Sequence, residues 1–208
     1  MKRLLSASAA TMVLFWIVAA TVGTDRTVEP PQQNDRDHGL TMILEDAEFI
    51  GAAKCKTCHR KPEVGEQYPK WEASAHAGAY VTLGTDKAKE IAAAKGIENP
   101  QTADECLACH VTAHGVAAEL LGTKYSIEEG VSCESCHGAG GNYYKKTTMA
   151  SITSGEIEGA SVGLVTPTEE TCVKCHNDKS PSFEGFDFAE YSAKIAHPIP
   201  DAKKAEYK

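Results

Sequence analysis

The chain has 208 residues, 42% hydrophobic and 24% charged, an ordinary balance for a soluble globular protein of one or two domains. Asp and Glu outnumber Lys and Arg by 29 to 21, for a formal net charge of −8; this acidity excludes nucleic acid as a partner, because phosphates reward clustered Lys and Arg. Aromatic residues make up only 7%, so apolar bulk for a core of this size is expected from another source.

In chain order, Lys2 and Arg3 precede an apolar run over 9–22, the basic and apolar parts of an export signal. Residues 1–23 read as a signal peptide or, because 4–23 is long enough to span a bilayer, as an N-terminal membrane anchor. Residues 24–46 are polar, with Pro30, Pro31, Gln32 and Gln33, and read as a flexible arm. The remainder, 47–208, reads as one domain. Within it, Pro69 starts a helix that runs through Trp71, Ala75, Ala79 and Leu83. Thr85 and Asp86 cap a second helix over 87–95, closed by Gly96. A short helix over 116–121 precedes Gly122, and another over 186–195 stops before Pro198. No long alternating run predicts a sheet.

All eight cysteines fall in four pairs, each followed at once by a histidine: Cys55, Cys58 and His59; Cys106, Cys109 and His110; Cys133, Cys136 and His137; Cys172, Cys175 and His176. Cys-x-x-Cys-His is the signature of covalent c-type haem attachment. Two cysteines three positions apart fall on one side of a helical turn and can form thioethers to the two vinyl groups of one porphyrin; the adjacent histidine then points at the iron as proximal ligand. Zinc sites pair two Cys-x-x-Cys halves without needing a histidine after each. A redox dithiol occurs once, on a strand–helix unit. With 8 histidines in the chain, four falling by chance after four pairs has a probability on the order of one in a million. The sequence therefore predicts four covalent haems, and a mainly α fold of short helices and long loops wrapped around them.

Four histidines remain as distal ligands, matching the number that four bis-histidine irons need. His76 sits among small residues, Ala73, Ser74, Ala75, Ala77 and Gly78, which let a flat macrocycle approach. His197 ends an apolar stretch before Pro198. His114 lies four residues after His110, so it cannot reach the opposite face of the same iron and would serve a neighbouring haem. His38 lies in the polar arm, where a solvated histidine is an equal alternative to a ligand. Met42 and Met149 are axial candidates without supporting context.

At these motifs the chain resembles the tetrahaem electron carriers of the c-554 type, over about 49–200. The resemblance rests on Phe49-Ile50-Gly51, on Trp71 with Ser74-Ala75-His76-Ala77, on Cys109-His110-Val111, and on the run from Gly130 through Cys133 and His137 to Gly140. It implies a mainly helical domain organised around closely packed haems, with His59, His110, His137 and His176 proximal and His76 and His197 distal. Two departures stand out. The c-554 type has a further ligand histidine after the third motif, where this chain reads Asn142-Tyr143-Tyr144-Lys145-Lys146. It also leaves the second-motif haem five-coordinate, with no counterpart of His114. A looser resemblance is to tetrahaem cytochromes that polymerise into extracellular filaments, in some of which an axial histidine comes from the next subunit; that would suit His38.

The expected function is electron transfer between redox proteins outside the cytoplasm, periplasmic or extracellular, with membrane quinol-oxidising or terminal reductase complexes among the candidate partners. One alternative is an enzyme that reduces a small nitrogen oxide or peroxide at a five-coordinate haem. Tyr143, Tyr144, Lys145 and Lys146 are its candidate proton donors, although such a run also reads as a solvated loop. The other alternative is a homo-oligomer or conducting filament assembled through the arm.

Overall fold

The computed structural model describes residues 46–202. The expected signal or anchor over 1–23, nearly all of the arm, His38 and Met42 lie outside the described residues. The described chain is helical and loop-rich, as its motif pattern predicts. It contains α1 (Ala52–His59), α2 (Gln67–Glu72), α3 (Ala79–Thr82), α4 (Asp86–Ala94), α5 (Asp104–His110), α6 (Cys133–His137), α7 (Lys146–Ser154), α8 (Glu169–Cys172) and α9 (Phe188–Ile195), with short 3-10 turns between them. Among the described residues there is no strand beyond a single parallel bridge, Phe49 with Leu121, and no helix long and apolar enough to cross a membrane.

Local chemistry explains which expected helices form. Helix α4 starts where Thr85 caps it, its hydroxyl accepting the Ala88 N–H at 3.2 Å, and the chain turns away at Gly96 in a left-handed conformation (φ 74°). Helix α9 is capped by Asp187, which accepts the Glu190 N–H at 2.8 Å, and it ends before Pro198. The single helix expected from Pro69 to Leu83 is instead two. Helix α2 ends at Glu72, where the Ser74 hydroxyl donates to the Trp71 carbonyl at 2.7 Å and competes with the next helical bond. The His76 carbonyl then accepts from Val131, at 3.0 Å, and from Ala79. A tertiary bond thus fixes a turn at His76 that local apolar spacing does not encode. The helix expected over 116–121 reduces to a 3-10 turn, Ala118–Leu120. There the Leu120 carbonyl accepts from Phe49 at 2.8 Å, serving the bridge. Helix α7 was not anticipated.

The side-chain core is small. Leu83, Leu107 and Val111 form a buried cluster with Tyr80 and Cys106 against it. Much of the interior around the motifs is polar and fully paired. Thr112 is completely buried; its hydroxyl donates to the Gly130 carbonyl (2.9 Å) and accepts the Ser132 N–H (2.7 Å). Trp71 Nε1 donates to the Val131 carbonyl at 2.9 Å. These bonds dock the segments after the second motif and before His76 onto residues 130–132, just ahead of the third motif. Gly130 is required there: its φ is 64°, and a Cβ would lie 2.7 Å from the His76 carbonyl oxygen.

Candidate haem-binding site

Each cysteine pair sits on a helical turn. The first three motifs lie within α1, α5 and α6, and the fourth begins at the end of α8 and continues in a turn where the Cys175 and His176 N–H groups both donate to the Cys172 carbonyl. The i, i+3 spacing therefore puts both sulfurs of each motif on one face, as thioether attachment needs. The motifs also approach one another. Cys55 and Cys133 share a hydrogen bond, which with burial raises the Cys55 thiol far above its ordinary range. Burial and the neighbouring Cys109 thiol push Cys175 up to about 12. Burial, then Cys172 beside it, raises Cys136. The bond with Cys55 lowers Cys133, against its burial. Among the described residues, no group of three or more His, Cys, Asp or Glu side chains gathers to hold an ion.

The histidines complete the arrangement. His137 faces His197 with ring centroids 5.9 Å apart and planes at 78°. His76 faces His176 at 6.0 Å and 82°. Two imidazoles that share one metal through nitrogens at about 2 Å each have centroids about 6 Å apart. Both pairs match that spacing, and which histidine faces which motif is a pairing the sequence left open. Burial lowers the His76 and His137 pKa values, at His137 against the Val165 hydrogen bond; the His176 and His197 rings opposite add to the lowering. Nδ1 of His137 bonds the Val165 carbonyl (2.9 Å), Nδ1 of His197 the Ile195 carbonyl (2.8 Å) and Nδ1 of His110 the Ala79 carbonyl (2.8 Å). Nδ1 of His59 meets the Gln67 side-chain oxygen at 3.2 Å. Against such acceptors Nδ1 carries the proton, leaving the Nε2 lone pair for iron. The residues thus fit c-type haem.

The remaining candidates are not brought together. Nε2 of His114 lies 3.7 Å from Asp104 at the start of α5, its own motif's helix. Among the described residues no second histidine ring stands against His59 or His110. Tyr143, read as part of a solvated loop, is buried; its hydroxyl donates to the Gly138 carbonyl at 2.7 Å and the His137 carbonyl at 3.2 Å. Burial, with Glu134 nearby, raises its pKa. Tyr144 is exposed, and Lys146 opens α7.

Sequence reasoning missed Glu134, between the cysteines of the third motif. It is 3% exposed, and its carboxylate accepts N–H bonds from Ile50 (2.9 Å), Gly51 (2.9 Å) and Gly140 (2.7 Å). Glu129 accepts from Ala52 (2.8 Å) and Ala53 (3.4 Å). Helix α1 has no cap of its own, so two carboxylates from beside the third motif cap the helix that carries the first. No spacing rule marks either glutamate, because the α1 groups they cap lie more than 70 residues away.

The family model described as cytochrome c554 and c-prime matches residues 54–138, which hold the first three motifs. Residues 54–138 belong to the c-554 family. Cytochrome c-554 of Nitrosomonas europaea is 33% identical over 150 residues, 64% of this chain and 60% of that protein. The multiheme cytochrome MtrA of Shewanella baltica is 30% identical over 119 residues, 53% of this chain and 35% of its own. The chain thus spans 60% and 35% of the lengths of these two relatives. A solved structure of reduced cytochrome c554 from Nitrosomonas europaea is similar at 26% identity, covering 78% of this chain and 79% of that one with a TM-score of 0.46. Across residues 54–138 the match is thus to a c-type cytochrome family, whose signature is Cys-x-x-Cys-His.

Proposed function

We propose that the chain is a tetrahaem electron carrier that works outside the cytoplasm, passing electrons by hopping between adjacent haems. The carrying observation is the contact order of the motifs. Cys55 meets Cys133, Cys136 lies beside Cys172, and Cys175 meets Cys109. This orders the sites first, third, fourth, second. Cysteine pairs 55/58, 106/109, 133/136 and 172/175 would hold the four groups, with His59, His110, His137 and His176 as proximal ligands. Bound haem supplies an iron that gains and loses one electron. The chain keeps change small on that transfer. The Val165 and Ile195 carbonyls fix two ligand rings, and Glu134 with Glu129 lock the first motif to the third. His197 and His76 would be the second histidine ligands at the third and fourth sites. The Lys2–Arg3 start and the apolar run after it support export, and the net charge of −8 suits basic redox partners in brief, small contacts.

Intact-mass measurement of the exported protein tests this reading. Four haem additions, with uptake of four electrons per chain on reductive titration, are expected; fewer additions overturn the tetrahaem assignment.

A second reading is favoured at the second motif, where His114 turns toward Asp104 rather than another histidine. A small molecule binding there gives a carbon monoxide band shift in the reduced protein. An unshifted spectrum leaves a pure carrier.

A further inference from the structure

We infer that the third site is the more reducing member of the central pair, so that electrons run downhill from the third motif to the fourth. This rests on the tetrahaem reading above and adds a direction to it.

The two histidine pairs are alike in spacing but not in what holds their rings. At the third site both rings have an acceptor on Nδ1: Val165 O for His137 and Ile195 O for His197. Donating that proton toward a carbonyl gives an imidazole anionic character, strengthens its donation to iron and favours the ferric state. At the fourth site, among the described residues, neither His76 nor His176 has a ring hydrogen bond. His176 is held by aromatic contact instead: Phe186 stacks on it at 4.9 Å and 23°, and Tyr191 lies at 6.2 Å. Apolar cover without an acceptor leaves the weaker donor ligand and favours the ferrous state.

Fixed charge acts in the same direction. The residue after the first cysteine of the third motif is Glu134, buried, with its carboxylate facing inward onto three N–H groups. Inside the fourth motif stands Lys174, whose charge acts on Cys175, while Glu169 near Cys172 offsets it. The third motif thus encloses a carboxylate where the fourth encloses an ammonium. In the step itself one electron leaves ferrous iron at the third site and reduces ferric iron at the fourth; no bond forms or breaks, and no proton moves.

The test is a potentiometric titration of the full-length holoprotein, followed by optical and paramagnetic resonance spectra, with H197M and H76M labelling the third and fourth components. The expected result is an equilibrium of at least tenfold in favour of the reduced fourth site, about 59 mV for a one-electron couple. The reverse order, or equal potentials, overturns the inference. If either label variant fails to load haem, F186L serves, since it loosens the stack without touching a ligand. It is expected to lower the higher-lying component and change its resonance signature; movement of the lower component, or of none, overturns the inference. Fewer than four haems by mass would instead sink the underlying carrier reading, before any titration is made.

Discussion

Residues 47–52 with 129–143, around the first and third motifs, and residues 169–197, around the fourth, are held together by different physics. In the former, polar bonds do the holding: Glu134 and Glu129 cap α1 across the chain, and Tyr143 latches the nearby His137 and Gly138 carbonyls. In the latter, apart from the Cys175–Cys109 bond, the described hydrogen bonds are local, such as Asp187 to Glu190 and Lys194 to Glu190, and Val173, Phe183 and Tyr191 are each 39% exposed. This segment reaches back chiefly through histidines, His176 to His76 and His197 to His137. The polypeptide fastens one region; on the proposed tetrahaem reading, ligation of a prosthetic group would fasten the other.

The largest expected effect breaks the second region alone. In C172A/C175A, limited proteolysis should cut readily within 169–197 while 47–143 stays protected; equal protection of both would refute the contrast. E134A attacks the first region. It strands three N–H donors, and at about 1–3 kcal/mol for each buried group left unpaired the loss is about 4 kcal/mol, read as a drop in guanidinium midpoint. D187A removes the α9 cap for about 1 kcal/mol; hydrogen exchange should accelerate in 188–195 and not in 52–59. The smallest effect is one of pH. Burial raises the Glu129 pKa, against the bonds it accepts from Ala52 and Ala53. Its contribution is complete below the unfolded carboxylate pKa and is lost as pH rises through the raised folded value. Relative to wild type, E129Q should therefore gain in denaturation midpoint between pH 4 and pH 7; a flat or opposite trend would count against this account.

The same contrast explains what could be read from the residues. The cysteine pairs, the proximal histidines, the Thr85 cap and helix α9 rest on short spacings that local geometry dictates. His76 and His197 were visible through small or apolar neighbours, although their partners were not. The α1 caps by Glu134 and Glu129 and the break after Glu72 depend on partners distant in sequence. The break splits an apolar periodicity that, taken alone, favours one continuous helix, because the His76 carbonyl is drawn to Val131.

One short stretch carries a consequence for spacing. His76 turns its ring to the fourth site, and three residues on, the Ala79 carbonyl grips His110 of the second. In the proposed relay, residues 76–79 would act as a ruler between neighbouring stations: an inserted or deleted residue there would shift the hold on one histidine relative to the other, so loop-length variation should be tolerated elsewhere on the surface but not in this turn.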